Sequence, residues 1–171
     1  FFLAPNYQMT ELQGAVALAQ LEKVEQIVAA RNRLGARLDA LLATIPGIAP
    51  QKTPEGCRHG YFLFLFRLDL DRLRCTSREF SEALAAEGVP NRARLITGGM
   101  PVYLYRIFQH RSAFPGSEFP LEGRRYGKGD CPVAEDAFDR WITMNIYEHY
   151  TDTDVAEMAH AIAKVARHFA T

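Results

Sequence analysis

The run Tyr61-Phe62-Leu63-Phe64-Leu65-Phe66-Arg67-Leu68-Asp69 constrains the fold more than any other stretch of the chain. Successive side chains of a strand alternate between faces, so an unbroken apolar run from Tyr61 to Phe66 places large side chains on both. The run is too short for a bilayer span and reads as a central strand covered on each side. Elements able to cover it lie on either side in sequence. Ser77 caps a short helix from Arg78 to Glu87, and Gly88 ends it in the left-handed conformation that glycine tolerates. Val89 to Ile96 predicts a second strand, begun at Pro90, and Trp141 to Ile146 a third. Pro132 opens a helix through Asp139, and Thr151 caps an amphipathic helix reaching about Phe169.

Upstream, Glu11 to Thr44 reads as helix almost throughout, with Leu12, Val16, Leu21, Val24 and Val28 at helical spacing and Leu34, Leu38, Leu41 and Leu42 continuing it. Thr10 and Gln13 have the spacing of a capping box. Such a helix is roughly 50 Å long, and it either bends near Asn32 or Gly35 or bridges two domains. Gly14, Ala15, Ala17 and Ala19 predict close packing on all sides of its first half. The element order describes an α/β (α+β) sandwich, a small and mostly antiparallel sheet with helices packed on it. Residues 1–44 form a turn and long helix, and 45–171 a small α/β domain. Within it, Thr97 to Asp130 is a long loop rich in glycine, proline and aromatic residues. A loop of that length is functional or packed against another surface.

Charge and cysteine content narrow the function. Lys+Arg and Asp+Glu both number 20, which removes the long-range field expected of a nucleic-acid binder or a polybasic membrane surface. Cys57, Cys75 and Cys131 lie far apart with no CxxC spacing, which points to a reduced, cytoplasmic setting. Phe1-Phe2-Leu3 lacks the charged n-region of a signal peptide, and the missing initiator Met suggests a start further upstream. The histidines show no metal-ligand spacing, and neither GxGxxG, GxxxxGK nor GxSxG occurs.

Four positions are candidate site residues. Asn6 follows Pro5 at a helix entrance, where N–H groups and the dipole favour an anion; the alternative is an ordinary turn residue. His59 either meets a substrate at the mouth of the apolar strand or is a hydrogen-bonded structural residue. Arg94 shares a strand face with Arg92, a face that either receives an anionic or hydroxyl-rich ligand or is simply solvated. Tyr103 lies in the aromatic loop. Lys23, Lys52, Lys128 and Lys164 all sit in polar settings, without the desolvation or neighbouring cation that a Schiff-base lysine needs. By its residues alone the chain is a binding or packing domain without a catalytic centre.

Asn6-Tyr-Gln-Met-Thr-Glu-Leu-Gln-Gly-Ala-Val-Ala-Leu-Ala-Gln-Leu21 resembles the Asn-Tyr-Arg-Met-Thr-Glu-Leu-Gln segment of the DegT/DnrJ/StrS family of pyridoxal-phosphate sugar and cyclitol aminotransferases. The likeness continues through Pro46-Gly47, His59 and the strand ending Phe66-Arg67, Gly88-Val89-Pro90, Pro101-Val-Tyr103 and Cys131-Pro-Val-Ala-Glu135. Gln8 departs from the family's arginine, and Met144-Asn145 from its Leu-Pro. The resemblance implies the C-terminal part of a fold-type I enzyme whose Schiff-base lysine lies upstream, so that this chain alone is inactive. It implies a homodimer with shared active sites and an amino donor, glutamate or glutamine, for a keto-sugar or keto-cyclitol. A dehydratase of the same family and a non-catalytic interaction domain are the alternatives. The resemblance makes Asn6 a contact of the cofactor phosphate in the partner's site and gives this chain part of the substrate wall, for which His59, Arg94 and the Thr97 to Tyr105 loop are the candidates. On this reading Asn6→Ala in the full-length protein weakens pyridoxal-phosphate retention by about 1–3 kcal/mol, the cost of removing a partner from a charged acceptor. Cofactor titration reads that loss, and unchanged affinity rules the contact out.

Overall fold

The computed structural model describes residues 7–94 and 99–170. The chain opens with α1 (Glu11–Leu21) and α2 (Val24–Leu42). An edge strand β1 (Ile48–Pro50), the apolar strand β2 (Phe64–Leu68) and α3 (Ser77–Ala86) follow. After β3 (Asn91–Ala93) come a 3-10 turn at Val102–Leu104 and the single-turn α4 (Arg106–Gln109). The chain closes with α5 (Pro132–Arg140), β4 (Trp141–Met144) and α6 (Asp152–Phe169).

The four strands form one sheet in the order β1-β2-β4-β3, with every neighbouring pair antiparallel. The expected small antiparallel sheet with packed helices is therefore present, and β2 lies inside it. Phe64, Phe66 and Leu68 of β2 and Ile142 and Met144 of β4 face inward. They share one core with Leu34, Leu38 and Leu42 of α2, Phe80 and Leu84 of α3, and Val155, Ile162 and Val165 of α6. Each such side chain, fully buried, stabilises the fold by about 1.5–3 kcal/mol. The opposite face of β2 is less enclosed than a strand covered on each side requires. Leu65 and Arg67 are half-exposed, and α5 reaches that face through Asp136, 3.4 Å from Arg67.

Several boundaries differ from those expected. The long helix breaks at Glu22 and Lys23, where the Lys23 N–H donates to Gln20 O at 3.0 Å in a tighter turn, and nothing in the local residue types requires the break. Asn32 and Gly35, the expected bend, are instead where α2 is gripped. The Asn32 amide donates to Val28 O at 2.8 Å and to His59 O at 2.6 Å. A Cβ at Gly35 would lie 2.5 Å from the Tyr61 ring. α1 is not packed on all sides within this chain: none of its residues is buried, and Leu12 is 76% exposed.

Thr76 rather than Ser77 caps α3, because Thr76 and Glu79 have the capping-box spacing and Ser77 is a buried first-turn residue. The second strand is seen over Asn91–Ala93, after which Arg94 turns to φ +70; Leu95 and Ile96 of the expected strand lie outside the described residues. β1 was not expected, being too short to show a two-residue period. The expected glycine turn at Gly88 (φ +88), the box at Thr10 and Gln13, Pro132 in the first turn of α5 and the Thr151 cap are all seen.

Tyr61 packs against α2 at Gly35 and Asp39. It is 4% exposed at φ +44, and its hydroxyl donates to Asp39 Oδ2 at 3.0 Å, one helical turn beyond Gly35. The turn that buries Tyr61 leaves Phe62 80% exposed, and the sheet pairing of β2 begins only at Phe64. Gly35→Ala pushes a methyl into the Tyr61 ring and lowers unfolding free energy by about 1–3 kcal/mol in denaturant titration of the full-length protein. Adding Tyr61→Leu, which removes the clash, recovers part of that loss, whereas additive losses contradict the contact.

Candidate functional site

Asn6 and the Thr97 and Gly98 portion of the proposed wall lie outside the described residues. The remaining candidates fall into two groups. His59 sits in the loop that leads from β1 to β2. Its Nδ1 accepts the Tyr61 N–H at 2.8 Å, which puts the proton on Nε2; Nε2 lies 2.9 Å from the Gln51 side-chain amide and donates to it when that amide turns its oxygen toward the ring. Its carbonyl accepts from Asn32, and its ring lies 4.3 Å, centroid to centroid, from that of Tyr61. Nδ1 is thus engaged within the fold, a contact of the kind the structural alternative for His59 describes.

Arg94 and Tyr103 meet on α5. Arg94 follows β3 at the other end of β4, where its N–H donates to Trp141 O at 2.9 Å. Its guanidinium donates to Gly99 O at 2.9 Å and lies 3.9 Å from Asp139. The buried hydroxyl of Thr143 donates to Arg94 O at 3.2 Å and fixes the turn. Arg94 therefore leaves the strand face it was expected to share with Arg92, which stays opposite Thr143 in the sheet.

The Tyr103 hydroxyl donates to Glu135 Oε1, and the Gly129 N–H donates to the same oxygen at 2.7 Å. Glu135 and Asp139 are four residues apart, hence on one face of α5, and they hold the two sides of the loop that returns from β3. Gln109 completes the arrangement by donating to Tyr103 O at 2.8 Å and to Tyr126 O at 3.1 Å.

Electrostatics follow from these contacts. The Tyr103 hydrogen bond, aided by the Gly129 N–H and Lys128, holds the Glu135 carboxyl below the usual glutamate range. Partial burial and then the Glu135 carboxylate push the Tyr103 phenol up to about 12. Glu135, Asp139 and Gln109 were not singled out from sequence. The available signal was the acidic pair four residues apart on a short helix begun by proline.

Among the described residues no cluster of His, Cys, Asp and Glu is arranged to hold a metal ion, and no helix is long and apolar enough to cross a membrane. Lys23, Lys52, Lys128 and Lys164 are all exposed, and Lys164 pairs with Glu87 at 2.7 Å.

The profile of the DegT/DnrJ/EryC1/StrS aminotransferase family matches residues 2–163. The chain belongs to this family. It is 30% identical over 175 residues to the L-glutamine:2-deoxy-scyllo-inosose aminotransferase of Streptomyces fradiae, a match covering 97% of this chain and 39% of that protein. It is 25% identical over 160 residues to an uncharacterized protein of Methanocaldococcus jannaschii, covering 94% of this chain and 37% of that one. In fold it is similar to Helicobacter pylori PseC, an aminotransferase involved in the biosynthesis of pseudoaminic acid. The TM-score is 0.74 at 18% identity, covering 99% of this chain and 40% of PseC. The chain thus spans about two fifths of the length of these proteins.

The tie between Tyr103 and Glu135 has a defined pH window. Glu135 has a folded pKa below its unfolded 4.5, so its contribution is present above 4.5 and is lost as pH falls through the folded value. Tyr103 has a raised pKa, so its contribution is present below 10.0 and is lost as pH rises through about 12. Phenolate absorbance of the wild type minus that of Tyr103→Phe isolates this residue. Its titration near pH 12 is expected, and titration at 10 contradicts the pairing.

Proposed function

We propose that this chain is the C-terminal portion of a longer pyridoxal-phosphate-dependent aminotransferase. The whole enzyme moves an amino group from glutamine or glutamate to a keto-sugar or keto-cyclitol. The observation that carries this reading is the family match along nearly the entire chain, joined to the likeness to a cyclitol aminotransferase that uses L-glutamine. The described residues do not by themselves form a cradle for the cofactor. Their lysines are exposed, and Asn6, the phosphate contact that the resemblance implies, precedes them.

What the described residues do fit is a supporting part. On this reading α1 offers its apolar surface to other residues of the assembly, and 45–171 form the small domain. Tyr7, Met9, Leu12, Val16, Leu18 and Leu21 are exposed in this chain, a surface that a homodimeric cytoplasmic enzyme would cover. Arg94 and the Gly99 to Tyr105 segment, carried on α5, wall the substrate. An arginine and a tyrosine are suited to a ketone rich in hydroxyl groups. His59 acts at a distance, by holding the turn that packs α2 on the sheet.

Purified full-length protein with bound cofactor, given L-glutamine or L-glutamate and then 2-deoxy-scyllo-inosose or a nucleotide-linked keto-sugar, tests the proposal. Mass spectrometry is expected to show the aminated product, at a rate dependent on the amino donor. A cofactor-loaded protein that aminates none of these ketones overturns it.

A further inference from the structure

One carboxylate oxygen holds the proposed substrate wall together. Glu135 Oε1 accepts from the Tyr103 hydroxyl and from the Gly129 N–H at 2.7 Å, and so joins two parts of the loop that are 26 residues apart. Gln109 makes a second link between the same parts, but only from an exposed side chain to two carbonyls. One turn along α5, Asp139 lies 3.9 Å from Arg94, whose guanidinium also holds Gly99 O at 2.9 Å. α5 is itself anchored: Phe138 is buried, and Asp136 reaches Arg67 on β2 at 3.4 Å. The loop therefore has a post in α5 at Glu135, beside two further holds, buried Leu121 and the edge-to-face contact of Phe108 with Tyr126.

We propose that Glu135 is a positioning residue for the amino-acceptor ketone, acting through Tyr103 rather than by touching substrate. This rests on the reading of the Gly99 to Tyr105 segment as part of the substrate wall. A Tyr103 hydroxyl given to Glu135 is not free to rotate, so the ring is held in one orientation on α5, one turn from the aspartate that meets Arg94. With Glu135 removed, Tyr103 loses its acceptor, Gly129 loses its partner, and the segment from 99 to 131 samples alternative positions. Glutamine at 135 keeps an acceptor oxygen of the same reach, so Glu135→Gln preserves the tie where Glu135→Ala abolishes it.

Two measurements on the full-length enzyme separate this proposal from the reading beneath it. Hydrogen exchange of amides 99–110 and 126–131 needs no activity, and it is expected to speed up at least about tenfold in Glu135→Ala and little in Glu135→Gln. Steady-state kinetics is expected to show the acceptor KM rising about tenfold in Glu135→Ala and in Tyr103→Phe, with Glu135→Gln near wild type and the half-reaction with the amino donor changed less than about twofold. Unchanged exchange in Glu135→Ala overturns the proposal. So does faster exchange with an unchanged acceptor KM, which reduces Glu135 to a structural tie. A wild-type enzyme that aminates no ketone overturns the substrate-wall reading itself, and the exchange data then show whether the attachment exists without it.

Discussion

The packing of Tyr61 onto Gly35 is the contact on which the arrangement of the chain depends. A residue with any side chain at position 35 would hold the Tyr61 ring away from the helix backbone. The same ring reaches Asp39 with its hydroxyl, so α2 is fixed at two points one turn apart. Asp39 bears a cost for this. Burial raises its pKa, an effect offset in part by the Tyr61 hydrogen bond and by His59. With α2 set, Leu34, Leu38 and Leu42 meet Phe64 and Phe66 in the core, and the direction in which α1 leaves the domain follows.

The two faces of the sheet are held by different forces. The inner face is closed by apolar burial against α2, α3 and α6, which supplies most of the stability. The outer face is organised by polar side chains on α5. Asp136 meets Arg67 and Arg140, Asp139 meets Arg94, and Glu135 meets Tyr103. Exposed ion pairs contribute about 0.2–1 kcal/mol each, so their main effect here is orientation.

Much of this was legible in the residues. The apolar run from Tyr61 to Phe66 announced an interior strand, and Thr10, Gly88, Pro132 and Thr151 marked helix ends with side chains whose chemistry acts locally. What escaped depended on distant partners. Gly35 reads as a bend until Tyr61, far along the chain, is seen to occupy the space. β1 exists because it pairs with β2, and its three residues carry no pattern of their own. At the candidate site, Arg94 and Tyr103 were visible as residue types, but the acids that place them are separated from them by a long loop. His59 was legible only as a pair of alternatives, because its Nδ1 partner is a backbone N–H that no residue pattern announces.

The exposure of α1 has a consequence for how this part of the molecule behaves. Its 11 residues are too few for a helix to hold itself in water by propensity and one capping box. Its order is therefore linked by mass action to whatever surface covers Leu12, Val16 and Leu21. Where Asn6 carries the contact given to it above, assembly and cofactor retention become two readouts of a single equilibrium. Weakening either one at a distance would then weaken the other, with no residue of the cofactor pocket altered.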